Sequence, residues 1–484
     1  MAGVNAPLET WLRGASAGPG SPVASGVVAT AGPWLFSVAA MLAVQRATDA
    51  AGLEASGYAF RAAIVYAFCW SMLVAAPIAC VMARRFSDAL RVDQAAAMET
   101  LYERGLTLCI LLPGASAAPL FAGFGLGVAD VAAAAAACAA LGGVWFSLSI
   151  CSALRDYRAV SMAFAIGLTV GAASTLAAIG LRGPPGLMLA AFGLGLVVTL
   201  ARLAGSVRRR LDETAPAPAA PLPRGRHGVL ALGGALAVAV LWADKWVTWS
   251  GPFGAATSNG LLYSPLYDGA MFVAYLSLLP ALCLFFVFME SAFLPAYKDY
   301  LRALEGHATL DVVTRKADDL RAMAHRALAR ILITQAAVAG LVILTAPDLA
   351  PAAGLQYQQI GVLRLGVVAA LLQFVFLTAS SLLVFFDRAG PFAALQACGL
   401  ALQAGLTWAV QTFAPDAIGY GHLLACAASA VLATHLLERT LTRLPFLTFR
   451  SAWRLAAAPA PRTPRRRRLV FPAPAGALAT GARP

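Results

Sequence analysis

The sequence predicts an all-α polytopic membrane protein with about twelve transmembrane helices. Hydrophobic residues make up 60% of the chain, charged residues make up only 12%, and the mean hydropathy is +0.74. Soluble domains contain roughly half apolar and a quarter charged residues. Long apolar runs recur along the chain, and each approaches the roughly 20 residues that a helix needs to cross a bilayer. The connections between these runs are alternately rich and poor in arginine.

Twelve apolar runs are candidates for the spans. They lie at roughly 23–45, 59–83, 106–128, 130–153, 157–181, 184–204, 228–250, 266–290, 328–348, 358–386, 390–413 and 416–437. With the N-terminus inside, inward segments hold 31 of the 36 lysine and arginine residues. Outward segments hold only Arg46, Arg61 and Arg182. Anionic lipids and the membrane potential retain positive loops in the cytoplasm. We therefore expect a multi-pass protein of the bacterial inner membrane with both termini cytoplasmic.

The composition also bears on other functional classes. The net charge of +13 follows from inward retention, so no nucleic-acid partner is expected. The eight cysteines fall within predicted spans and behave there as small apolar residues. Neither the cysteines nor the five histidines form a metal-binding or catalytic pattern, and there is no phosphate-binding loop. We expect no enzyme activity, no metal site and no cofactor. The first run is too long for a signal peptide and is expected to be retained.

The predicted organisation has two halves joined by a basic connector. Residues 1–22 form a cytoplasmic N-terminal segment and residues 23–204 form a first lobe of six helices. Residues 205–227 are rich in proline and arginine, as in an extended linker. A second six-helix lobe covers 228–437, and a basic cytoplasmic tail covers 438–484, with disorder expected from about 456. Two bundles around a shared cavity are common in transporters.

Within the second lobe, residues 291–330 form a long cytoplasmic segment. Its apolar residues follow helical spacing, at Val313, Ala317, Leu320, Ala324 and Leu328. Two interpretations stay open at this stage. The segment is either an interfacial helix that leads into the ninth span or a docking surface for a cytoplasmic partner.

Charged residues inside the predicted spans are the main candidates for function. Asp244 and Lys245 lie in the seventh run, beside Trp242, Trp246 and Trp249, which share one helix face. An ionised side chain at this depth costs a few kcal/mol on insertion scales, so it should face water or a partner. The pair is therefore expected either to form a structural ion pair or to line a polar passage with the tryptophans.

Three further charged residues are candidates. Asp268 begins the eighth run, Glu290 ends it, and Arg364 lies about six residues into the tenth run. Asp268 is alternatively an interfacial residue or the partner of Lys245. Trp249 is alternatively an ordinary aromatic anchor at the membrane boundary.

Several stretches resemble one family. The segment WADKW at 242–246 and the segment SPLYDGAMFVAYLS at 264–277 are similar to the PelG family, the inner-membrane transport component of the Pel exopolysaccharide system. The segments FVFMESAF at 286–293, YKDY at 297–300 and TAGPW at 30–34 continue the similarity. Residues 1–22 and the arginine-rich tail depart from the family's pattern.

The resemblance implies a twelve-span transporter of the multidrug/oligosaccharidyl-lipid/polysaccharide (MOP) flippase superfamily, MATE-like, with two six-helix lobes. It implies an amino-sugar polymer as the substrate, moved from cytoplasm to periplasm for the biofilm matrix. A cytoplasmic glycosyltransferase and other Pel inner-membrane subunits are the implied partners, beside the lipid bilayer. A partly deacetylated polymer is cationic, which favours Asp244, Asp268 and Glu290 for its path, together with Lys245, Arg364, Trp242, Trp246, Trp249 and Tyr275.

Two alternatives to polymer export also fit the sequence. One is a small-molecule antiporter of the same fold, driven by a cation through an intramembrane carboxylate. The other is a membrane scaffold for the polysaccharide synthase complex, using residues 291–330 and the tail.

Overall fold

A computed structural model describes residues 22–91, 94–212 and 227–456, and almost all of them are helical. The N-terminal segment, most of the predicted linker and the tail beyond residue 456 lie outside the described residues. The first lobe consists of six long helices: α1 (Pro22–Ala50), α2 (Glu54–Arg91), α3 (Ala95–Gly123), α4 (Val128–Ala153), α5 (Tyr157–Gly180) and α6 (Pro185–Asp212).

The second lobe contains one short hairpin and one broken helix. Its elements are α7 (Gly228–Ser250), β1 (Ala255–Ala256), β2 (Leu262–Tyr263), α8 (Asp268–Leu276), α9 (Leu279–Phe288), a π-turn (Met289–Phe293), α10 (Leu294–Glu305), α11 (Leu310–Ala352), α12 (Gln359–Phe385), α13 (Ala389–Phe413), a 3₁₀ turn (Pro415–Ala417) and α14 (Tyr420–Thr442). The last helix, α15 (Leu444–Ala456), belongs to a separate structural unit that begins at Arg443.

The first lobe is held together by close approach of helix backbones. α5 packs along α6, and α4 contacts both α3 and α6. At Gly167 and Gly195 the two helices are so close that a Cβ on either residue would meet the backbone of the other helix. In lipid, where apolar burial between helices gains little, such van der Waals contact at small residues drives association. The run of alanine and glycine in these spans is therefore the packing surface of the lobe.

The second lobe packs around α12 and α13. α13 lies against α7 and α14, while α12 contacts α8, α11 and α14. Two helix pairs join the lobes: α2 with α7, and α1 with α9. The loop between α7 and α8 also reaches the first lobe, since Leu261 is fully buried in that lobe's core and Tyr263 stacks on Tyr58 at 6.0 Å.

The predicted eighth span is interrupted twice. Pro280 and Pro295 lie in the first turns of α9 and α10, where a proline begins a helix more readily than it continues one. The π-turn at Met289–Phe293 adds a local change of direction. At a helical rise, Asp268 and Glu290 are separated by about 30 Å. The two carboxylates therefore lie near opposite ends of the predicted span 266–290.

The segment 291–330 covers the end of the π-turn, α10 and the beginning of α11. Its second part is continuous with the ninth span in α11, which has 43 residues. Val313, Ala317, Leu320 and Ala324 are buried. α11 contacts α10, α12 and α14. These buried residues of its apolar face therefore pack within the chain. In the first lobe, α6 continues to Asp212.

Candidate functional site

An ion pair lies in the interior of the second lobe. Asp244 on α7 is fully buried, and the Lys245 Nζ is 3.1 Å from its Oδ2. The Tyr267 hydroxyl donates a hydrogen bond of 2.9 Å to the same oxygen. A buried carboxylate is tolerated only when a counter-charge and hydrogen-bond donors replace water. The structure therefore joins the two charged residues that the sequence singled out in this helix.

Two aromatic rings surround the ammonium group of Lys245. Its Nζ lies 5.7 Å from the ring centre of Trp242 and 5.2 Å from that of Tyr275. Attraction between a cation and an aromatic ring contributes most where water is excluded. The Lys245 side chain is 15% exposed, whereas that of Asp244 is 0% exposed. The lysine is therefore the accessible member of the pair, and the aspartate is the buried anchor.

His422 on α14 extends this network. Its Nδ1 is 2.9 Å from the Gln403 Oε1, and its Nε2 is 3.2 Å from the Tyr275 hydroxyl. The distance from Nδ1 to the Asp244 Oδ2 is 3.7 Å, which is longer than a hydrogen bond. A neutral imidazole with its proton on Nδ1 donates to Gln403 and accepts from Tyr275, so both nitrogens are satisfied.

Polar side chains continue the network to the neighbouring helices. The Gln403 Nε2 donates to the Cys426 Sγ at 3.2 Å, and the Cys426 thiol donates to the Gln373 Oε1 at 3.4 Å. On the other side, the Gln411 Nε2 donates to the Thr248 hydroxyl at 2.7 Å. Five helices, α7, α8, α12, α13 and α14, contribute to these contacts. Connected buried hydrogen bonds of this kind polarise one another and fix a single arrangement of the helices.

Asp268 has a different environment from Asp244. Both of its oxygens accept from the indole nitrogen of Trp249, at 3.0 and 2.9 Å, and Oδ2 also accepts from the Ser264 backbone nitrogen at 2.9 Å. The Trp249 ring stacks on Tyr66 of the first lobe with 4.9 Å between ring centres. Asp268 is thus bonded to Trp249 rather than to Lys245, and Trp249 is buried at the seam between the lobes instead of anchoring at the membrane boundary.

The remaining candidates lie apart from this network. Glu290 forms an ion pair of 2.6 Å with Arg155 of the first lobe. Arg364 is exposed and donates to the Ile343 carbonyl oxygen at 3.2 Å. Trp246 borders a groove of about 640 Å³ beside Trp408. The structure therefore brings together Asp244, Lys245, Trp242 and Tyr275, and it does not bring Glu290, Arg364 or Trp246 to them.

The sequence does not identify several members of the network. His422 belongs to no recognisable pattern in the sequence, and Tyr267 stands out there only as part of a family segment. Such residues can be identified as amide or histidine side chains within apolar runs, because a polar group in a membrane span requires a partner. Gln373, Gln403 and His422 meet this criterion, and all three are buried.

The helices and the buried polar network define the class of protein. Among the described residues, eleven helices are long and apolar enough to cross a membrane, with Asp268–Glu305 counted as one, and α1 precedes them. The fold is that of membrane transporters of the MATE type. A MATE crystallised in complex with MaL6 superposes with a TM-score of 0.64 at 15% identity, covering 92% of this chain and 99% of that one.

Two other solved structures share this fold. An outward-facing multidrug resistance MATE transporter of the MOP superfamily gives a TM-score of 0.62 at 14% identity, covering 90% of this chain and 98% of that one. A MOP superfamily transporter from Pyrococcus furiosus gives a TM-score of 0.60 at 15% identity, covering 92% of this chain and 99% of that one. Comparison with curated protein sequences gives no match.

The family follows from the sequence match. The family model PelG, an exopolysaccharide exporter (EPS-E), matches residues 1–449. The chain belongs to the PelG family and is a multi-pass membrane transporter with the fold of MOP superfamily transporters. The predicted resemblance and the predicted fold class are confirmed.

Proposed function

We propose that this protein moves a Pel-type exopolysaccharide, an amino-sugar polymer, from the cytoplasm to the periplasm for export into the biofilm matrix. Membership of an exopolysaccharide exporter family supports the substrate class. The single structural observation that supports a path is the paired Asp244 and Lys245, with the lysine ammonium between the rings of Trp242 and Tyr275. An anion and two aromatic rings around a cation form a site that suits an ammonium-bearing sugar.

In this proposal the site works by cation exchange. The ammonium of Lys245 occupies the position between Trp242 and Tyr275 when no substrate is present. An amino group of the polymer replaces it there, because the carboxylate of Asp244 attracts either cation and the rings favour any ammonium. Sugar faces carry C–H groups that pack on the same rings. The partly exposed Lys245 moves aside, and Asp244 stays fixed by Tyr267.

The proposal includes the cellular setting. The protein lies in the inner membrane with its arginine-rich connections and both termini in the cytoplasm, as retention of positive loops requires. The polymer comes from a cytoplasmic glycosyltransferase that associates with the transporter and with other Pel inner-membrane subunits. Glu290 and Arg155 lie at the arginine-rich end and join the two lobes there. We assign that contact to the cytoplasmic closure of the path.

Complementation of a deletion strain tests the proposal. Asp244→Asn and Lys245→Met are expected to lower secreted polysaccharide at least tenfold per molecule of membrane-inserted protein. The matched control is an adjacent pair of the same residue types, Lys298 and Asp299, which is exposed on α10. Lys298→Met and Asp299→Asn are expected to export normally. Equal export from the Asp244 and control variants at equal abundance would remove Asp244 from the path.

A second candidate function is cation-coupled transport of a small molecule. The observation that favours it is His422, a titratable side chain whose Nδ1 lies 3.7 Å from the buried Asp244 carboxylate. Two results together would support this candidate against polymer export. Purified protein in proteoliposomes would couple proton flux to transport of a small substrate, and a strain that lacks the gene would still secrete polysaccharide.

A further inference from the structure

A second group of charged residues lies outside the candidate site, at the arginine-rich end of the first lobe. Where α5 begins and α6 ends, the two helices border a cavity of about 440 Å³. Its charged lining consists of four arginines and one carboxylate: Arg158, Arg202, Arg209, Arg210 and Asp156. Positive charges exceed negative ones by three, so the cavity attracts an anion.

Asp156 fixes the two helices that form this cavity. Its Oδ1 accepts from the Ala159 backbone nitrogen at 3.2 Å, which caps α5. Its Oδ2 accepts from the Ser206 hydroxyl of α6 at 2.6 Å and lies 3.6 Å from the Arg210 Nε. Both oxygens are engaged, and the arginine they contact is Arg210. This carboxylate therefore shapes the cavity more than it neutralises the other arginines.

The other arginines have no such counter-charge. Arg202 and Arg209 are seven residues apart and share one face of α6. Within the described part of the chain, neither they nor Arg158 has a hydrogen-bond or ion-pair partner. A cation at the end of α6 is favoured by the helix dipole, but Arg158 is the second residue of α5, where the dipole disfavours it. Retention of positive loops does not require that Arg158 face three further arginines.

We propose that this cavity binds a phosphate group, supplied by an anionic phospholipid of the surrounding leaflet. Guanidinium groups match phosphate oxygens with paired hydrogen bonds. Basic cavities between membrane helices at headgroup level bind anionic lipids in this way. Met162 lies one turn from Arg158 toward the apolar run of α5, lines the same cavity and is 44% exposed. The apolar methionine side chain at this position can contact an acyl chain of a lipid, whereas inorganic phosphate has no apolar part to contact it.

Native mass spectrometry of the purified, delipidated full chain tests this site. The probes are phosphatidylglycerol, phosphatidylcholine and inorganic phosphate, and bound molecules are counted against probe concentration. We expect phosphatidylglycerol to bind more tightly than phosphatidylcholine. Arg158→Gln with Arg202→Gln should weaken phosphatidylglycerol binding about 30-fold, since each arginine near a charged surface contributes about 1 kcal/mol. Met162→Ser should weaken lipid binding and leave phosphate binding unchanged.

The matched control is Arg315→Gln with Arg326→Gln, the same charge change at exposed positions on α11. It should leave the strongest bound lipid in place. Arg158→Lys with Arg202→Lys keeps the charge and removes the paired donors, so it should give an intermediate loss and serves if the glutamine pair does not fold. Phosphate that competes with phosphatidylglycerol supports a shared phosphate site, whereas phosphate binding without phosphatidylglycerol binding would assign a soluble source and overturn the lipid proposal. Unchanged phosphatidylglycerol binding in the glutamine pair, or equal loss in the control, overturns the proposal.

Discussion

Removing the two members of the central ion pair should have unequal effects on stability. Lys245→Met leaves the Asp244 carboxylate fully buried with the Tyr267 hydroxyl as its nearest donor. Stranding a buried charge in this way costs about 3–5 kcal/mol. Asp244→Asn instead leaves Lys245, whose side chain is already 15% exposed and lies near two aromatic rings. Its cost should be about 1.5–3 kcal/mol, the range of a lost hydrogen bond to a charged group.

The double variant makes the reasoning testable. In Asp244→Asn with Lys245→Met no charge is stranded, so the protein should be more stable than Lys245→Met alone by about 2 kcal/mol. Unfolding midpoints of the purified variants in one detergent, followed by tryptophan fluorescence, give the order. We expect wild type to be the most stable and Lys245→Met the least, with the other two variants between them.

Two results would refute this account. If Lys245→Met unfolds at the wild-type midpoint, Lys245 does not stabilise the buried charge of Asp244. If the double variant is no more stable than Lys245→Met, the two side chains are not coupled as their 3.1 Å separation requires. Polysaccharide secretion by the double variant then separates structure from function. Restored abundance without export supports a role in the path, whereas restored abundance with export makes the pair structural.

Three further predictions follow from particular contacts. Gly195→Ala should lower membrane abundance several-fold, because its Cβ would meet the backbone of α5. Gly193→Ala, whose Cβ would have nothing within 4 Å, should leave the abundance unchanged, and quantitative immunoblots measure both. Arg155→Glu should reduce export. If the 2.6 Å contact between Arg155 and Glu290 joins the lobes, adding Glu290→Arg should restore at least half of the export. Equal export defects in the single and double variants would contradict this role of the contact. Trp242→Phe should retain more export than Trp242→Leu, because phenylalanine keeps an aromatic ring near Lys245. Equal export from the two variants at wild-type abundance would exclude Trp242 from the path.

The sequence was sufficient for the fold class because lipid imposes strong rules on a chain. Apolar length and the position of arginines locate the spans. Hydropathy is insufficient for the eighth span, because it predicts one continuous run over 266–290. The breaks near Pro280 and at the π-turn depend on how neighbouring helices satisfy the freed backbone groups. That compensation is tertiary and leaves little trace in hydropathy.

The candidate site shows the same division. Asp244 and Lys245 stand out in the sequence because ionised groups in a span are costly. Their helical spacing placed them on different faces, yet a four-carbon side chain can turn back, and Lys245 reaches its neighbour's carboxylate. His422 lies far along the chain, and only the packing of α14 against α13 and α12 brings its ring close to Asp244. Long-range contacts of this kind cannot be read from periodicity.

The positions of the charged contacts connect the site with movement of the lobes. Asp244 and its partners lie within the second lobe, so the network can persist while the lobes move relative to each other. Ion pairs between the lobes include Arg84 with Asp387 at 3.0 Å and Arg155 with Glu290 at 2.6 Å, beside the packing of α2 on α7 and of α1 on α9. Exposed ion pairs contribute about 0–1 kcal/mol each. Ion pairs this weak add little to the helix packing between the lobes, whereas the strongly bonded site lies within the second lobe alone.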